Sequence, residues 1–243
     1  IQQKVIPLLL ANTTDLVGLA KTGSGKTAAF GLPLLQLIDT SSTKVQAVIL
    51  VPTRELGHQI FTNLESFSKY LPEVSIAATC GGIPIKPQIE RLSSATHIVV
   101  ATPGRLIDLI QRKKIDLKDT KFLVLDEADE MVSILKESLD EIVAELPKEH
   151  KTLLFSATLP GTIKQLIQNY LHKNVVQVSV NMETVGNQGI DHEFIVVNPI
   201  EKLDVLMHFL NSKEGERGII FCKTKAAVNK LAKNLAINRF SSG

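Results

Sequence analysis

The chain has 243 residues, 44% of them apolar, which is long for one ordinary domain, short for two complete ones and enough for a large core. Its formal net charge of +2 neither demands nor excludes a polyanionic partner, so any nucleic-acid site must be local. Two distant cysteines argue against a disulfide framework or a zinc site, and no apolar run reaches the roughly 18 residues of a membrane span.

Apolar runs without strict alternation recur along the first 180 residues and predict strands that are buried on both faces. Amphipathic stretches between them predict helices, among them residues 54–70, 105–112 and 160–172. This alternation predicts an α/β domain, residues 1–180, with a doubly wound parallel sheet that binds ligands at the carboxyl ends of its strands. The apolar runs are, in chain order, DLVGLA, VQAVILVP, VSIAATCGG, HIVVATP, KFLVLDEAD, KTLLFSAT and VVQVSV.

A polar, glycine-containing segment interrupts this pattern and predicts a linker over residues 181–191. Residues 192–243 then begin a second unit, with HEFIVV and RGIIFC as predicted strands. Helices are predicted for residues 199–211 and 225–236. Because two strands cannot bury a core alone, we expect this second domain to be incomplete.

The segment AKTGSGKT, residues 20–27, follows the first predicted strand. It fits the phosphate-loop pattern GxxxxGK[ST] except that Ala20 stands in the first place. Backbone N–H groups and the dipole of a helix that begins near Lys26 favour an anion there. Lys26 is expected to reach the β- and γ-phosphates, and the hydroxyl of Thr27 to bind Mg²⁺. The alternative is an incidental glycine-rich turn, which the strand-loop-helix context disfavours.

Two adjacent carboxylates close the predicted strand KFLVL. In phosphate-loop proteins a carboxylate at a strand end holds Mg²⁺, so Asp126 is expected to bind the metal, directly or through water. Glu127 is expected to orient or deprotonate the attacking water. The alternative is an ordinary acidic helix start, which the phosphate loop about a hundred residues earlier disfavours.

These segments and several others resemble, in the same order, the motifs of the DEAD-box ATP-dependent RNA helicases. DEAD at residues 126–129 resembles the motif that names the family, and IQQKVIP resembles its Q motif. The family commonly has Ala in the place of Ala20. The resemblance implies a RecA-like first domain, residues 1–180, and the start of a second one, residues 192–243. The remaining matches are AKTGSGKT to motif I, PTREL to Ia, Gly81-Gly82 to GG, TPGR to Ib, SAT to III and GIIFCKT to the start of IV.

The resemblance implies ATP and Mg²⁺ as ligands. The amide of Gln2 donates and accepts at once, which suits the edge of adenine. Contacts between Asp129 and the SAT segment are implied to relate the nucleotide state to RNA unwinding. The implied ATP-binding residues are Gln2, Ala20, Lys21, Thr22, Gly23, Ser24, Gly25, Lys26 and Thr27. The implied coupling residues are Asp129, Ser156, Ala157 and Thr158.

Three further segments lie at predicted strand-to-helix transitions and offer exposed backbone N–H groups. Such groups bind phosphate and sugar without reading bases, and the resemblance implies a sequence-independent track for the RNA backbone. For Arg54 and Arg105, an equally good alternative to RNA binding is a solvated surface charge or a side chain that interacts with a helix end. The residues of this predicted track are Pro52, Thr53, Arg54, Gly81, Gly82, Thr102, Pro103, Gly104 and Arg105.

The resemblance implies an RNA-stimulated ATPase that unwinds short RNA duplexes. An ATP-dependent RNA clamp or assembly platform with little unwinding uses the same motifs and stays open as an alternative. An unrelated phosphate-loop protein, such as a DNA translocase, is opposed by Gln2, DEAD and SAT together. The sequence ends at Gly243, before the family's arginine-finger motifs, so we expect this chain alone to bind ATP weakly and to hydrolyse it slowly.

The remaining features indicate no further site. The six histidines lack metal-ligand spacing and are expected to be structural or exposed. The cysteine usage favours a reducing compartment, and no signal peptide opens the sequence. A cytoplasmic location is therefore predicted, with a nuclear one left open for a eukaryotic source.

Overall fold

The computed structural model describes residues 1–11, 14–180, 191, 193–213 and 215–241, without the side chains of residues 133–137. The chain divides into two units, Ile1–Asn187 and Gln188–Gly243. The predicted linker, residues 181–191, lies outside the described residues except for Asp191.

In the described part of the first unit, parallel strands form one sheet in the order β3-β4-β2-β5-β6-β1-β7. Each predicted apolar run contains one of these strands, so the predicted parallel sheet is confirmed. The strands are β1 Leu16–Leu19, β2 Ala47–Leu50, β3 Ile76–Thr79, β4 Ile98–Ala101, β5 Phe122–Leu125, β6 Lys151–Ser156 and β7 Val176–Ser179.

Both faces of the sheet are buried, which explains why the strand sequences do not alternate. Successive side chains of a strand point to opposite faces. Ile49 accordingly packs in one core cluster with Phe30 and Phe155, whereas Leu50 packs in the other with Leu125. The central strands are therefore enclosed by helices, and polar side chains reach solvent at the strand ends.

Helices connect the strands of the first unit, and α2 begins at Lys26 as predicted. The predicted helices at residues 54–70, 105–112 and 160–172 correspond to α3, α5 and α7. Among the helices of the described residues, none combines the length and hydropathy that a membrane span requires. The helices are α1 Gln2–Leu10, α2 Lys26–Leu37, α3 Arg54–Phe67, α4 Lys86–Leu92, α5 Pro103–Gln111, α6 Ala128–Ala144 and α7 Gly161–Tyr170.

Two buried polar side chains fix the amino-terminal edge of the sheet. His97 accepts a hydrogen bond from the N–H of Ser75 at Nδ1 (2.9 Å) and donates from Nε2 to the carbonyl of Ser42 (2.8 Å). This arrangement requires the neutral ring with its proton on Nε2. Asp15 accepts from the N–H groups of Thr152 (2.8 Å) and His172 (2.6 Å) and from Nδ1 of His172 (2.8 Å). Both histidines are therefore structural, as the sequence indicates.

The second unit contains two helices among its described residues, α8 Lys202–Ser212 and α9 Lys225–Ile237. The hydroxyl of Thr224 accepts from the N–H of Ala227 and caps α9. The strands predicted from HEFIVV and RGIIFC are absent from described residues 193–197 and 217–222. A strand exists only where a neighbouring strand takes up its hydrogen bonds, and these apolar segments are largely exposed instead.

Candidate functional site

The phosphate loop, residues 20–27, connects β1 to α2. Gly23 and Gly25 have φ angles of 78° and 88°, in the left-handed region that favours glycine. Ala20 is different, because its N–H donates to the carbonyl of Ser156 (3.1 Å) and continues the β1–β6 ladder. The first place of the motif is therefore strand-like backbone, in which a methyl group causes no strain.

Buried charges hold this loop. Nζ of Lys26 lies 2.9 Å from Oε1 of Glu127 and donates to the carbonyl of Ala20 (3.1 Å). The hydroxyl of Thr22 donates to the same Oε1 of Glu127 (3.2 Å). Glu127 thus contacts both the ammonium of Lys26 and the hydroxyl of Thr22 in this structure.

Asp126 and Glu127 lie at the carboxyl end of β5, where α6 begins. Glu127 is the residue before the helix and has a left-handed backbone with φ 50° and ψ 49°, which costs a non-glycine residue about 1 kcal/mol. Its N–H donates to Oδ1 of Asp126 (3.0 Å). Burial and the neighbouring charge of Glu127 raise the pKa of Asp126 to about 6.

These residues fit a divalent cation. Asp126 is only 2% exposed, so its charge is costly unless a cation lies nearby. Thr27 is half-buried in the first turn of α2 and offers a hydroxyl oxygen. One carboxylate and one hydroxyl suit Mg²⁺, which commonly takes one or two carboxylates and fills its other positions with water and substrate phosphates.

Gln2 lies beside the phosphate loop. Helix α1 packs on α2 through Val5 and Leu9, which share a core cluster with Phe30. This packing brings Nε2 of Gln2 within 3.3 Å of the carbonyl of Gly25, to which it donates. A Cβ on Gly25 would overlap that amide, so a larger residue there would displace the Gln2 side chain, and the backbone angles themselves favour glycine.

The SAT segment at the end of β6 contacts α6. Oδ2 of Asp129 accepts from both the N–H (2.9 Å) and the hydroxyl (2.6 Å) of Thr158. Burial raises the pKa of Asp129, but the hydrogen bonds from the SAT segment, first among them that of the Thr158 hydroxyl, outweigh it and leave the pKa below its ordinary value. The hydroxyl of Ser156 donates to the carbonyl of Thr158 (2.7 Å), and Ala157 lies half-buried between the two residues.

The three segments of the predicted RNA track come together at the carboxyl ends of β2, β4 and β3, which are neighbours in the sheet. The N–H of Gly81 donates to the hydroxyl of Thr102 (3.1 Å), and Nη2 of Arg105 donates to the carbonyl of Ile83 (3.0 Å). Nη1 of Arg54 lies 3.5 Å from the point where a Cβ on Gly82 would stand.

Side chains of the track already have partners within the protein. Thr53 follows Pro52 at the end of β2, and its hydroxyl caps α3 by accepting from the N–H of Leu56 (3.3 Å). Arg54 pairs with Glu55 at 2.9 Å on the exposed surface. Pro103 and Gly104 form the first turn of α5. The groups left for an external partner are therefore mainly backbone N–H groups and the rest of the two guanidinium groups.

One buried residue at this edge was missed by sequence reasoning. Gln88 lies on α4, and its Nε2 donates to the carbonyls of Cys80 (3.1 Å) and Pro84 (3.3 Å). A glutamine in a short polar helix resembles any exposed helix residue, so no local pattern marks it. Only the tertiary structure shows that it is 5% exposed and joined to the loop of Gly81 and Gly82.

Comparisons with known proteins agree with this arrangement. The family model for DEAD/DEAH box helicases matches residues 1–166. The DEAD-box ATP-dependent RNA helicase CshA of Streptococcus pneumoniae is 40% identical over 241 residues, which cover 99% of this chain and 45% of that protein. The ATP-dependent RNA helicase DeaD of Escherichia coli is 39% identical over 243 residues, which cover 100% of this chain and 38% of that protein.

A solved structure shows the same likeness. A DEAD box protein from the hyperthermophile Methanococcus jannaschii is 37% identical and matches with a TM-score of 0.67 over 99% of this chain and 64% of that chain. The chain spans less than half the length of the two relatives above. The parallel sheet with its flanking helices is thus the predicted RecA-like fold, and the chain belongs to the DEAD/DEAH box helicase family.

Proposed function

We propose that this chain provides the ATP- and RNA-binding surfaces of an RNA-stimulated ATPase that unwinds short RNA duplexes. The observation that carries the proposal is the contact between the phosphate loop and the acidic pair, in which Lys26 meets Glu127 beside Asp126. The two relatives described above, which are named as ATP-dependent RNA helicases, support the same activity. Residues 192–243 are proposed as the start of a second RecA-like domain, joined by the linker at residues 181–191.

ATP binding is proposed at the phosphate loop. The N–H groups of residues 22–27 and the ammonium of Lys26 would bind the phosphates, and Gln2 would meet the adenine edge. Thr27 and Asp126 would hold Mg²⁺, which supplies positive charge to the phosphates when bound. We propose that phosphate binding draws Lys26 away from Glu127, because the phosphates compete with this carboxylate for the donors of the ammonium. Nucleotide binding would thereby release a carboxylate.

Catalysis is proposed to use that released carboxylate. Glu127 sits on strained backbone at the end of β5, beside the residues that would bind the phosphates. Once separated from Lys26, its carboxylate can orient the attacking water and accept its proton. Proton transfer by a positioned side chain typically contributes about 10²- to 10⁴-fold in rate.

RNA binding is proposed at the track formed by residues 52–54, 81–82 and 102–105. Backbone N–H groups there suit phosphate and ribose oxygens, so binding would be independent of base sequence. The contact between Asp129 and Thr158 is proposed to couple the nucleotide site and the RNA site, because Asp129 lies on α6 shortly after Asp126 and Glu127 in the chain.

A cytoplasmic location belongs to this proposal and agrees with the free thiols of Cys80 and Cys222.

The test is the substitution Glu127→Gln in the full-length protein, with Glu130→Gln as a control at an exposed position in the first turn of α6. We expect Glu127→Gln to lower RNA-stimulated ATP hydrolysis by about 10²- to 10⁴-fold while nucleotide and RNA binding persist. Glu130→Gln should behave as the wild type. Normal hydrolysis by Glu127→Gln would contradict the assigned base.

Duplex unwinding separates the helicase from its alternative. A short RNA duplex should separate with ATP and persist with a non-hydrolysable analogue if the protein unwinds RNA. Tight ATP-dependent retention of single-stranded RNA without strand separation would instead indicate a clamp that assembles complexes.

A further inference from the structure

The turn that follows β3 contains the two glycines of the predicted RNA track, and it is named here the GG loop, residues 80–85. Gly82 has a φ angle of 79°, in the left-handed region. Turns that place a left-handed residue after a right-handed one bring successive N–H groups together and can bind anions. The N–H of Gly81 is taken by Thr102, whereas no hydrogen bond in the described part of the chain takes up the N–H groups of Gly82 and Ile83. The direction of these two groups therefore depends on the shape of the loop.

Gln88 determines that shape from inside the protein. A side-chain amide nitrogen has two protons, and both are used here, one on the carbonyl of Cys80 and one on that of Pro84. These carbonyls lie on either side of Gly81 and Gly82. Gln88 thus joins the two ends of the turn by hydrogen bonds from a single side-chain amide.

The other end of the same amide is unsatisfied. Oε1 of Gln88 is buried and has no hydrogen-bond partner within the described residues. Burying a polar atom without a partner is unfavourable, so the oxygen does not explain why an amide stands at this position. The two hydrogen bonds that Gln88 donates to the loop carbonyls do explain it.

We propose that Gln88 is a positioning residue of the RNA site, which fixes the GG loop so that the N–H groups of Gly82 and Ile83 point at an RNA phosphate. Gln88 is almost fully buried and does not itself contact RNA. Arg105 assists by donating to the carbonyl of Ile83. This inference rests on the proposed RNA-binding function and adds to it a residue outside the family-like segments described above.

The experiment compares Gln88→Met with the wild-type full-length protein. Methionine has similar length and removes both donors together with the unsatisfied oxygen, so the melting temperature should fall modestly, because two loop carbonyls lose a hydrogen bond. Affinity for a single-stranded oligouridylate, with Mg²⁺ and a non-hydrolysable ATP analogue, should fall about five- to tenfold. Affinity for the analogue alone should not change. Gln165→Met, an exposed position on α7, is the control for the same chemical change.

The outcomes distinguish a failure of this inference from a failure of the proposed RNA-binding function. If the wild-type protein fails to bind RNA, the proposed function itself is wrong. If the wild type binds RNA and Gln88→Met binds equally well, the positioning role is wrong. An equal loss of RNA binding and analogue binding would mark Gln88 as merely structural and would also overturn the inference.

Amide hydrogen exchange provides a readout without RNA. The amide of Gly81, which donates to the hydroxyl of Thr102, should exchange faster in Gln88→Met than in the wild type, and unchanged exchange would count against the inference. Should Gln88→Met not fold, Gln88→Asn carries the test, because it keeps the amide donors without a charge but is one methylene too short to reach both carbonyls. It should lose RNA affinity in the same way, and wild-type affinity in a folded Gln88→Asn would overturn the inference.

Discussion

The phosphate loop and the GG loop both follow a strand at the carboxyl edge of the same sheet, but they are held in different ways. In the phosphate loop, the contacts are buried charges, with Lys26 paired to Glu127. In the GG loop, side chains hold the backbone by hydrogen bonds, among them those of Gln88 and Thr102. A charged contact can be exchanged for a charged ligand, whereas contacts to the backbone fix a shape. We therefore expect the nucleotide site to rearrange on binding and the RNA loop to be formed beforehand.

The largest expected effect comes from Lys26→Met, which removes the cation of the phosphate loop. Nucleotide affinity should fall by about 10- to 100-fold, because charge-assisted hydrogen bonds to phosphate are lost. Two buried carboxylates also lose their cation, so the free energy of unfolding should fall by about 3 kcal/mol. Fluorescent-nucleotide titration and urea denaturation measure both quantities.

The control for this substitution is Lys44→Met, at an exposed lysine before β2. It should change neither quantity by more than about 0.5 kcal/mol. If Lys26→Met retained wild-type nucleotide affinity, the charged contact would have no part in ligand binding and the comparison between the two loops would fail.

A change of pH tests the acid beside the phosphate loop. Burial and Glu127 raise the pKa of Asp126 from 3.8 to about 6, so the folded protein holds this proton more tightly than the unfolded chain does. The contribution of this group to stability is therefore full below pH 3.8 and is lost as the pH rises through about 6. Metal binding needs the opposite, deprotonated form. We expect Mg²⁺-dependent nucleotide affinity to fall about tenfold from pH 7 to pH 5.

Calorimetric titration of ADP with Mg²⁺ or with EDTA at the two pH values measures this effect. Asp126→Asn should bind weakly at both pH values and show little dependence on Mg²⁺. Equal affinity of the wild type with and without Mg²⁺ would show that Asp126 is not a metal ligand.

A matched pair of glycine substitutions compares the phosphate loop and the GG loop directly. Gly25→Ala and Gly82→Ala both place a methyl group on left-handed backbone, at a cost of about 1 to 2 kcal/mol. Gly25→Ala additionally forces Gln2 away from the loop. We expect Gly25→Ala to weaken nucleotide binding about tenfold and Gly82→Ala to weaken RNA binding about fivefold.

Each variant serves as the control for the other. Nucleotide affinity should be normal in Gly82→Ala, and RNA affinity at a saturating concentration of nucleotide should be normal in Gly25→Ala. Crossed effects would mean that the two loops form one site and would remove the distinction between them.

The smallest expected effect belongs to the contact that lies between the loops. Thr158→Val removes the hydroxyl that donates to Asp129 and keeps the shape of the side chain. Stability should fall by about 1 kcal/mol, and Thr158→Ser should restore most of it. ATP hydrolysis should change little while duplex unwinding decreases. An equal decrease in both rates would argue against a coupling role for this contact.

The strands and the phosphate loop could be predicted from sequence because local patterns determine them. Apolar runs marked every strand of the sheet, and the spacing of Gly25, Lys26 and Thr27 marked the loop. The strands predicted from HEFIVV and RGIIFC fail in the described residues, because a strand also needs a neighbour that sequence patterns do not supply.

Buried polar residues escaped prediction for a related reason. The sequence shows that Gln88 is a glutamine on a helix, but only the packing of α4 against the end of β3 places its amide between two carbonyls. The pairing of Lys26 with Glu127 was also beyond sequence reasoning. Lys26 and Glu127 were both expected to act on a ligand, and no local sequence pattern indicates that they contact each other in its absence.

The order of strands in the sheet has a consequence for how the protein is made. Strand β1 begins at residue 16, yet its two neighbours, β6 and β7, begin at residues 151 and 176. β1 therefore cannot pair until more than half of the chain has been synthesised after it, whereas β2 to β5 can already associate with one another. Contacts so distant in sequence slow folding. The apolar segment LVGL thus leaves the ribosome early and unpaired, which makes it a natural target for chaperones in the growing chain.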